Sequence, residues 1–560
     1  MQTLFFEPML QKHPKGLLIA SLSNMGERFG FYTMMAVLVF FLQARYGMNA
    51  QEAGAVYGNF YFGIYAMALL GGFLADRFTG LGRTILTGIV TMFAGYLILS
   101  VPGMGEKLTY AGLFVIAAGN GLFKGNLQAL VGNLYENKQY AHLRDAGFSI
   151  FYMCINIGAF FAPTAAETML NRIMSGAGFL YHGQLPALCH AYLEGSSGQD
   201  VTVLTEMAGK VSLHAGTVTN LGEFATRYLD AVSTSYHYAF GIAGLAMLIS
   251  MMVFVLYRKH LKPGDYNSKV AMERAVEVET LSPKQEKERM SALFLVFLVV
   301  IFFWMSFHQN GLTLNFFARD YTETSVSRWT NLFFNIYAFL ALIGGFVGLY
   351  FTLKRKFSIK QRGLAALGSL AGFVIAGVFY AGFLDQNPIS PVKFQQFNAI
   401  FIVLLTPLVV SFFGWLNKLG KEPSTPRKIG IGMIIAAFAF VVMMVSSFGL
   451  TPPKDLLSEG TTLVSSYWLI GTYLTLTFAE LCLSPMGISF VSKVAPPKYK
   501  GLMQGGWLCA TAIGNKLLSV GSYFWERLEL WQVWLIFVVC CLISAAIIFS
   551  LMKFLERVTH

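Results

Sequence analysis

Long apolar runs separated by short polar stretches repeat along the chain, at about 16–43, 54–76, 84–101, 108–134, 146–170, 236–257, 291–318, 331–353, 363–384, 396–417, 428–449, 463–491, 501–522 and 531–553. As helices, these runs are of a length to cross a hydrocarbon core ~30 Å thick. A helix satisfies its own backbone hydrogen bonds, which the bilayer core cannot do. The pattern therefore predicts an all-α, polytopic membrane protein with fourteen transmembrane helices and both termini on one side. Most of the 41 Lys and Arg lie between spans on that same side, which places the termini in the cytoplasm. The first span follows Lys12 and Lys15, exceeds a signal-peptide core in length and has no small-residue cleavage pattern after it. It is expected to remain as the first helix of a plasma-membrane protein, in the inner membrane if the source is bacterial.

Two longer polar stretches interrupt the spans: an external loop at about 171–235 and a charged cytoplasmic linker at 258–290. The linker divides the chain into residues 1–257, with six spans, and 291–560, with eight. Two six-helix bundles related by a pseudo-twofold axis fit this division, with an extra helical hairpin at about 331–384. Lys354, Arg355, Lys356, Lys360 and Arg362 mark the cytoplasmic end of that hairpin.

Composition strengthens the membrane assignment, since 55% of residues are hydrophobic and only 12% are charged. The formal charge of +12 is spread over loops between spans, so a nucleic-acid partner is not expected. The six Cys follow neither a disulfide framework nor a metal-ligand spacing, and Cys189 stands alone in the external loop. No HExxH motif occurs, and no GxSxG sits in a strand-turn-helix setting, so an enzyme is not expected. The glycine-rich run 119–125 lacks the Gly-Lys-Ser/Thr ending of a nucleotide loop. Neither cofactor nor metal is implied.

Charges inside the spans carry the functional signal. Arg28 and Lys124 lie deep within apolar runs, where each costs ~2.5–3.5 kcal/mol at a helix centre. Glu27 and Glu480 share that placement. Intramembrane acids and bases are expected to converge on a polar cavity, which points to a transporter of small charged solutes.

Between the second and third spans the chain reads Gly71-Gly72-Phe73-Leu74-Ala75-Asp76-Arg77, followed by Gly80 and Arg83. This resembles the signature loop of the major facilitator superfamily, with Gly72 allowing close helix contact and Asp76 and Arg77 fastening a cytoplasmic gate. Further stretches are Glu27-Arg28-Phe29 with Tyr32, Gly119 to Lys124 with Asn126, and Arg144-Asp145-Ala146-Gly147-Phe148-Ser149 with Ile155-Asn156-Ile157-Gly158. The second half adds Glu480-Leu481-Cys482-Leu483-Ser484-Pro485-Met486-Gly487, and Leu502-Met503 with Trp507 and Ile513-Gly514-Asn515. Together these resemble the proton-dependent oligopeptide transporter family, across both halves but outside the external loop and the hairpin. The resemblance implies the major facilitator fold and import of di- and tripeptides by proton symport with alternating access.

The residue types fit that substrate independently. A short peptide is a zwitterion, so fixed cations should face a fixed anion across the cavity; Arg28 and Lys124 supply the first, Glu480 the second. Asn156 and Asn398 could bond the peptide backbone, Tyr32 and Tyr65 offer hydroxyls, and Trp304 and Trp507 offer apolar walls. The resemblance implies the same allocation. Each residue also has a purely structural reading. Arg28 and Lys124 could bolt helices together, the asparagines could join helices, and the tryptophans could serve packing. Lys516 reads as a cation snorkelling to the surface.

Proton coupling is where the chain departs from the family. Asn24 stands where the helix 1 pattern has a first glutamate, and Met35 and His308 replace an Arg and a carboxylate that pair in many members. Gly58 stands where mammalian members carry a coupling His, and Phe31 replaces one tyrosine. Glu27 and His308 remain as candidate proton carriers. The alternatives are a carrier of nitrate or another organic anion, and a substrate-binding receptor without flux. Glu480 argues for a substrate bearing an amino group. Peptides, protons and membrane lipids are the expected partners.

Overall fold

The computed structural model describes residues 13–136, 139–195, 199–213, 220–265, 282–354, 357–456, 460–496 and 499–559, apart from the side chains of some residues within these ranges. Among the described residues, eight helices fall before the linker: α1 (Lys15–Tyr46), α2 (Ala50–Leu74), α3 (Leu81–Leu99), α4 (Glu106–Leu134), α5 (Arg144–Gly176), α6 (Leu185–Leu193), α7 (Gln199–Val211) and α8 (Leu221–Leu256). After it come α9 (Pro283–Phe307), α10 (Thr313–Asp320), α11 (Arg328–Phe334), α12 (Ile336–Leu353), α13 (Ile359–Gly382), α14 (Gln396–Lys418), α15 (Thr425–Ser446), α16 (Ser466–Val494), α17 (Lys500–Lys516), α18 (Ser519–Trp525), α19 (Leu530–Ser550) and α20 (Met552–Thr559).

Short-range signals set the helix ends. Gly47 closes α1 in the left-handed region, φ 66°, where a side chain would be strained. Asn49 and Glu52 form a capping box that starts α2 only three residues later, so the two helices must run antiparallel. Similar boxes, Ser282 with Gln285 and Ser358 with Gln361, start α9 and α13.

Among the described residues, twelve helical stretches are long and apolar enough to cross a membrane. The other two expected spans, α4 and α17, are also helical but fall outside that set. The first carries Asn120, Lys124 and Asn126 along its length, and the second has only 17 residues. The expected number of fourteen is therefore not reached by length and hydropathy.

Helix α1 runs through the middle of the first half, packed between α5 and α8. Small residues make this possible. A Cβ on Gly158 of α5 would stand 2.5 Å from the Met25 carbonyl oxygen, and one on Gly30 would stand 2.9 Å from that of Ala243 on α8. The three backbones thus approach at the turn that carries Glu27 and Arg28, which packing in lipid requires because no hydrophobic force joins the helices there.

Three features differ from the expectation. Residues 171–235 are not a simple loop: α5 continues to Gly176, α6 and α7 follow, and α8 begins at Leu221, some fifteen residues before the apolar run. Hydropathy marks where a helix meets lipid, not where it ends. Cys189, expected in a loop, is buried on α6. The span expected at 291–318 is broken, since α9 gives way to a 3-10 turn at His308–Gly311 before α10.

The hairpin consists of α12 and α13, joined where Ser369 donates to the Gly345 carbonyl at 2.8 Å. Its base is closed by antiparallel strands β1 (Ser325–Ser327) and β2 (Gln386–Pro388). Arg355 and Lys356 lie outside the described residues, as does the linker between Asp265 and Ser282.

Candidate functional site

The middle of the molecule collects the intramembrane charges. Arg28 lies 6% exposed and Glu27 fully buried. The guanidinium grips its neighbour's carboxylate in two-pronged fashion, Nε donating to Oε2 at 2.5 Å and the second amino group to Oε1 at 2.6 Å. Asn120 of α4 donates to the same carboxylate at 2.7 Å, and Arg28 lies 4.7 Å over the Phe31 ring. Arg28 is therefore already neutralised within its own half.

Lys124 is arranged otherwise. Its ammonium donates to the Tyr65 hydroxyl at 3.0 Å and lies 4.1 Å from the centre of that ring. Among the described residues no carboxylate lies within ion-pair distance of it. On the opposite half, Glu480 of α16 is 8% exposed and accepts from Asn398 of α14 at 3.1 Å. No described cation pairs with Glu480. Asn398 also donates to Thr477 at 3.1 Å, so it holds the carboxylate in place.

Tyr32 links the two sides, since it stands within electrostatic reach of Arg28 and Glu27 from its own helix, and of Tyr65 and Glu480. Tyr152 of α5 likewise senses both Glu480 and Tyr32. Asn156 turns its amide back to the Tyr152 carbonyl at 3.0 Å. One turn further from the termini lies a cavity of about 40 Å³, walled by both halves: Tyr32 and Met35 of α1, Tyr57 and Tyr61 of α2, Pro163 of α5, and Asn310, Gln395, Asn398 and Tyr473. That volume suits water rather than a ligand. Arg28, Lys124 and Glu480 are not in its walls; they lie beneath it, toward the termini.

The remaining expected residues pack elsewhere in the second half, outside the walls of this cavity. Trp304, His308 and Tyr61 stack in sequence, each neighbouring ring centre 4.9 Å from the imidazole. His308 Nδ1 also bonds to Asn515 Oδ1 at 2.5 Å. Trp507 is wedged against Gly487, where any side chain would collide with its ring. Lys516 bonds Asn59 of α2.

At the signature loop, Asn126 of α4 donates to the Gly71 carbonyl at 3.0 Å. The side of Gly72 that a Cβ would occupy is open, and Arg77 lies exposed between the Phe73 and Phe78 rings, 5.8 Å from each. The side chain of Asp76 lies outside the described residues. A carboxylate does meet a helix N-terminus nearby: Asp265, at the start of the linker, accepts from the Gly82 N–H of α3 at 2.6 Å.

Asn120, Tyr57, Tyr61, Tyr473 and Thr477 were missed by the sequence reading. A signal existed for two of these, because Tyr57 and Tyr61 precede the expected Tyr65 at four-residue intervals and so share one face of α2 with it. Among the described residues no cluster of His, Cys, Asp or Glu could hold a metal ion.

A multi-pass helical membrane protein with opposite charges on its two halves is thus defined, and comparison with known proteins gives the family. The profile of the POT family matches residues 82–282 and 370–529; the chain belongs to the POT family, whose structures have the major facilitator fold. It is 28% identical to the peptide transporter YePEPT of Yersinia enterocolitica, over 90% of this chain and 86% of that one. It is 26% identical to dipeptide and tripeptide permease A of Chromobacterium violaceum, over 92% and 86% respectively. Among solved structures, the peptide transporter POT in complex with sulfate superposes with a TM-score of 0.65 at 23% identity, covering 98% of this chain and 96% of that one. A POT family transporter in complex with 5-aminolevulinic acid gives 0.65 at 19%, covering 98% and 97%.

Proposed function

We propose that this chain imports di- and tripeptides by alternating access, driven by protons, with its termini in the cytoplasm. The observation that carries the reading is the pair of uncompensated charges: Lys124 on one half, Glu480 on the other. A peptide's carboxylate would take Lys124 and Tyr65, and its ammonium group would take Glu480 held by Asn398. Substrate then bridges the halves and biases their relative motion, because it binds best where both ends are held. Names of relatives support the substrate class, since one is a peptide transporter and another a dipeptide and tripeptide permease.

Arg28 takes a second role in this reading. Approach of a substrate carboxylate would compete with Glu27 for the guanidinium, freeing Glu27 to bind a proton. His308, held by Asn515 between two aromatic rings, is the less mobile candidate. A carrier for nitrate is disfavoured, because a pure anion gains nothing from Glu480. Uptake of labelled dipeptide into proteoliposomes, with and without an imposed pH gradient and with nitrate as competitor, tests the proposal. Saturable accumulation that follows the gradient and ignores nitrate is expected. Binding without flux would make the protein a receptor and overturn it.

A further inference from the structure

The resemblance to the family implies an ion pair between position 35 on α1 and position 308 just after α9, and Met35 and His308 cannot form it. The halves are nevertheless tied together by polar links at the end away from the termini. Arg319 donates to Gln43 at 2.6 Å, the Ala50 N–H to Glu526 at 3.1 Å, Thr164 to Gln396 at 3.4 Å, and Lys516 to Asn59. The fifth link is an ion pair: Lys393 Nζ lies 2.8 Å from Glu167 Oε2, with the two side chains only 15% and 9% exposed. It joins full opposite charges across the halves.

Its position follows from the helices that carry it. Glu167 stands four residues beyond Pro163 on α5, and Lys393 stands two residues before Gln395 in the 3-10 turn Pro391–Gln395 that leads into α14. Pro163 and Gln395 both wall the central cavity. One helical turn is ~5.4 Å, so the pair roofs the cavity directly. Resting on the transport reading above, we infer that Glu167 and Lys393 form the lock of the outer gate, in place of an ion pair between positions 35 and 308. A buried pair resists partial separation, since each charge is stranded until water enters and solvates both. The gate then has two states, closed on the pair or open and wet, with little in between. Both are positioning residues: neither touches substrate.

The test reads the gate rather than the flux. In a chain whose six cysteines are replaced, Ala159→Cys puts one thiol in the cavity wall, and a membrane-impermeant maleimide is applied to intact cells. Labelling is normalised to that of the denatured protein to correct for the amount present, and only variants that elute as a single folded species in size-exclusion chromatography are compared. With the pair intact, labelling is slow. Glu167→Gln and Lys393→Met should each raise its rate about 10-fold or more, as a state populated at a few per cent becomes a major one. Lys393→Arg should leave it slow, and the swap of Glu167→Lys with Lys393→Glu should restore slow labelling. Unchanged rates in both neutral variants, or a swap as open as either, would overturn the lock. Peptide uptake is not measured, so failure of the transport reading would show separately.

Discussion

Two sets of buried charge are treated in opposite ways. In the first, Arg28 closes on its own neighbour Glu27 and Asn120 adds a third contact, leaving a satisfied, self-contained unit. In the second, Glu480 has only neutral groups around it, and across from it Lys124 has only a tyrosine. The residues look alike in sequence, each a charge in an apolar run, yet one pair is closed and the other open. An open charge in a membrane interior is costly, so its retention points to a partner that comes and goes. In the proposed reading, the substrate is that partner.

The contrast breaks most visibly at the open charges. Glu480→Gln and Lys124→Met should each lower peptide affinity in reconstituted uptake by roughly 30-fold or more, from the 2–5 kcal/mol that loss of one member of a buried charge pair costs. Both proteins should stay folded, because in each the substituted residue lacks an ionic partner among the described residues. At the closed pair the order reverses. Arg28→Met strands Glu27 and should destabilise the detergent-solubilised protein by ~3–5 kcal/mol, whereas Arg28→Met combined with Glu27→Gln should recover much of that loss. Thermal unfolding monitored by size-exclusion fluorescence separates the two outcomes.

Much of this contrast was legible in advance, and the part that was not has physical causes. Arg28, Lys124, Glu27 and Glu480 announce themselves because charge is expensive in apolar spans. Whether a charge is compensated depends on which helix faces it, and Asn120, a neutral residue cheap to bury, gives no such warning. Glu167 and Lys393 pair across 226 positions, beyond any local pattern. Helix spans were readable wherever lipid shapes the sequence, while α6, α7 and the first four turns of α8 lie outside that influence and were taken for loop.

Smaller effects sharpen the picture. Asn398→Ala removes the amide that holds Glu480, and should weaken peptide affinity about 10-fold, the ~1.5–3 kcal/mol of a hydrogen bond to a charged group. Tyr65→Phe deletes the hydroxyl partner of Lys124, also a hydrogen bond to a charged group, but leaves the ring beside the ammonium, for ~1.5 kcal/mol at the low end of that range. Equilibrium competition against a labelled dipeptide resolves both. A larger effect at Tyr65 than at Asn398 would mean that the cationic side is the more tightly organised.

The central claim is that one short zwitterion is held by its two ends. It is tested most directly without any mutation, by competing labelled dialanine uptake in proteoliposomes with dialanine, its N-acetyl derivative and its C-terminal amide. Dialanine should compete fully and both blocked forms poorly, because each lacks the charge that Glu480 or Lys124 requires. Equal competition by the N-acetyl form would show that Glu480 grips no ammonium group, and would contradict the account.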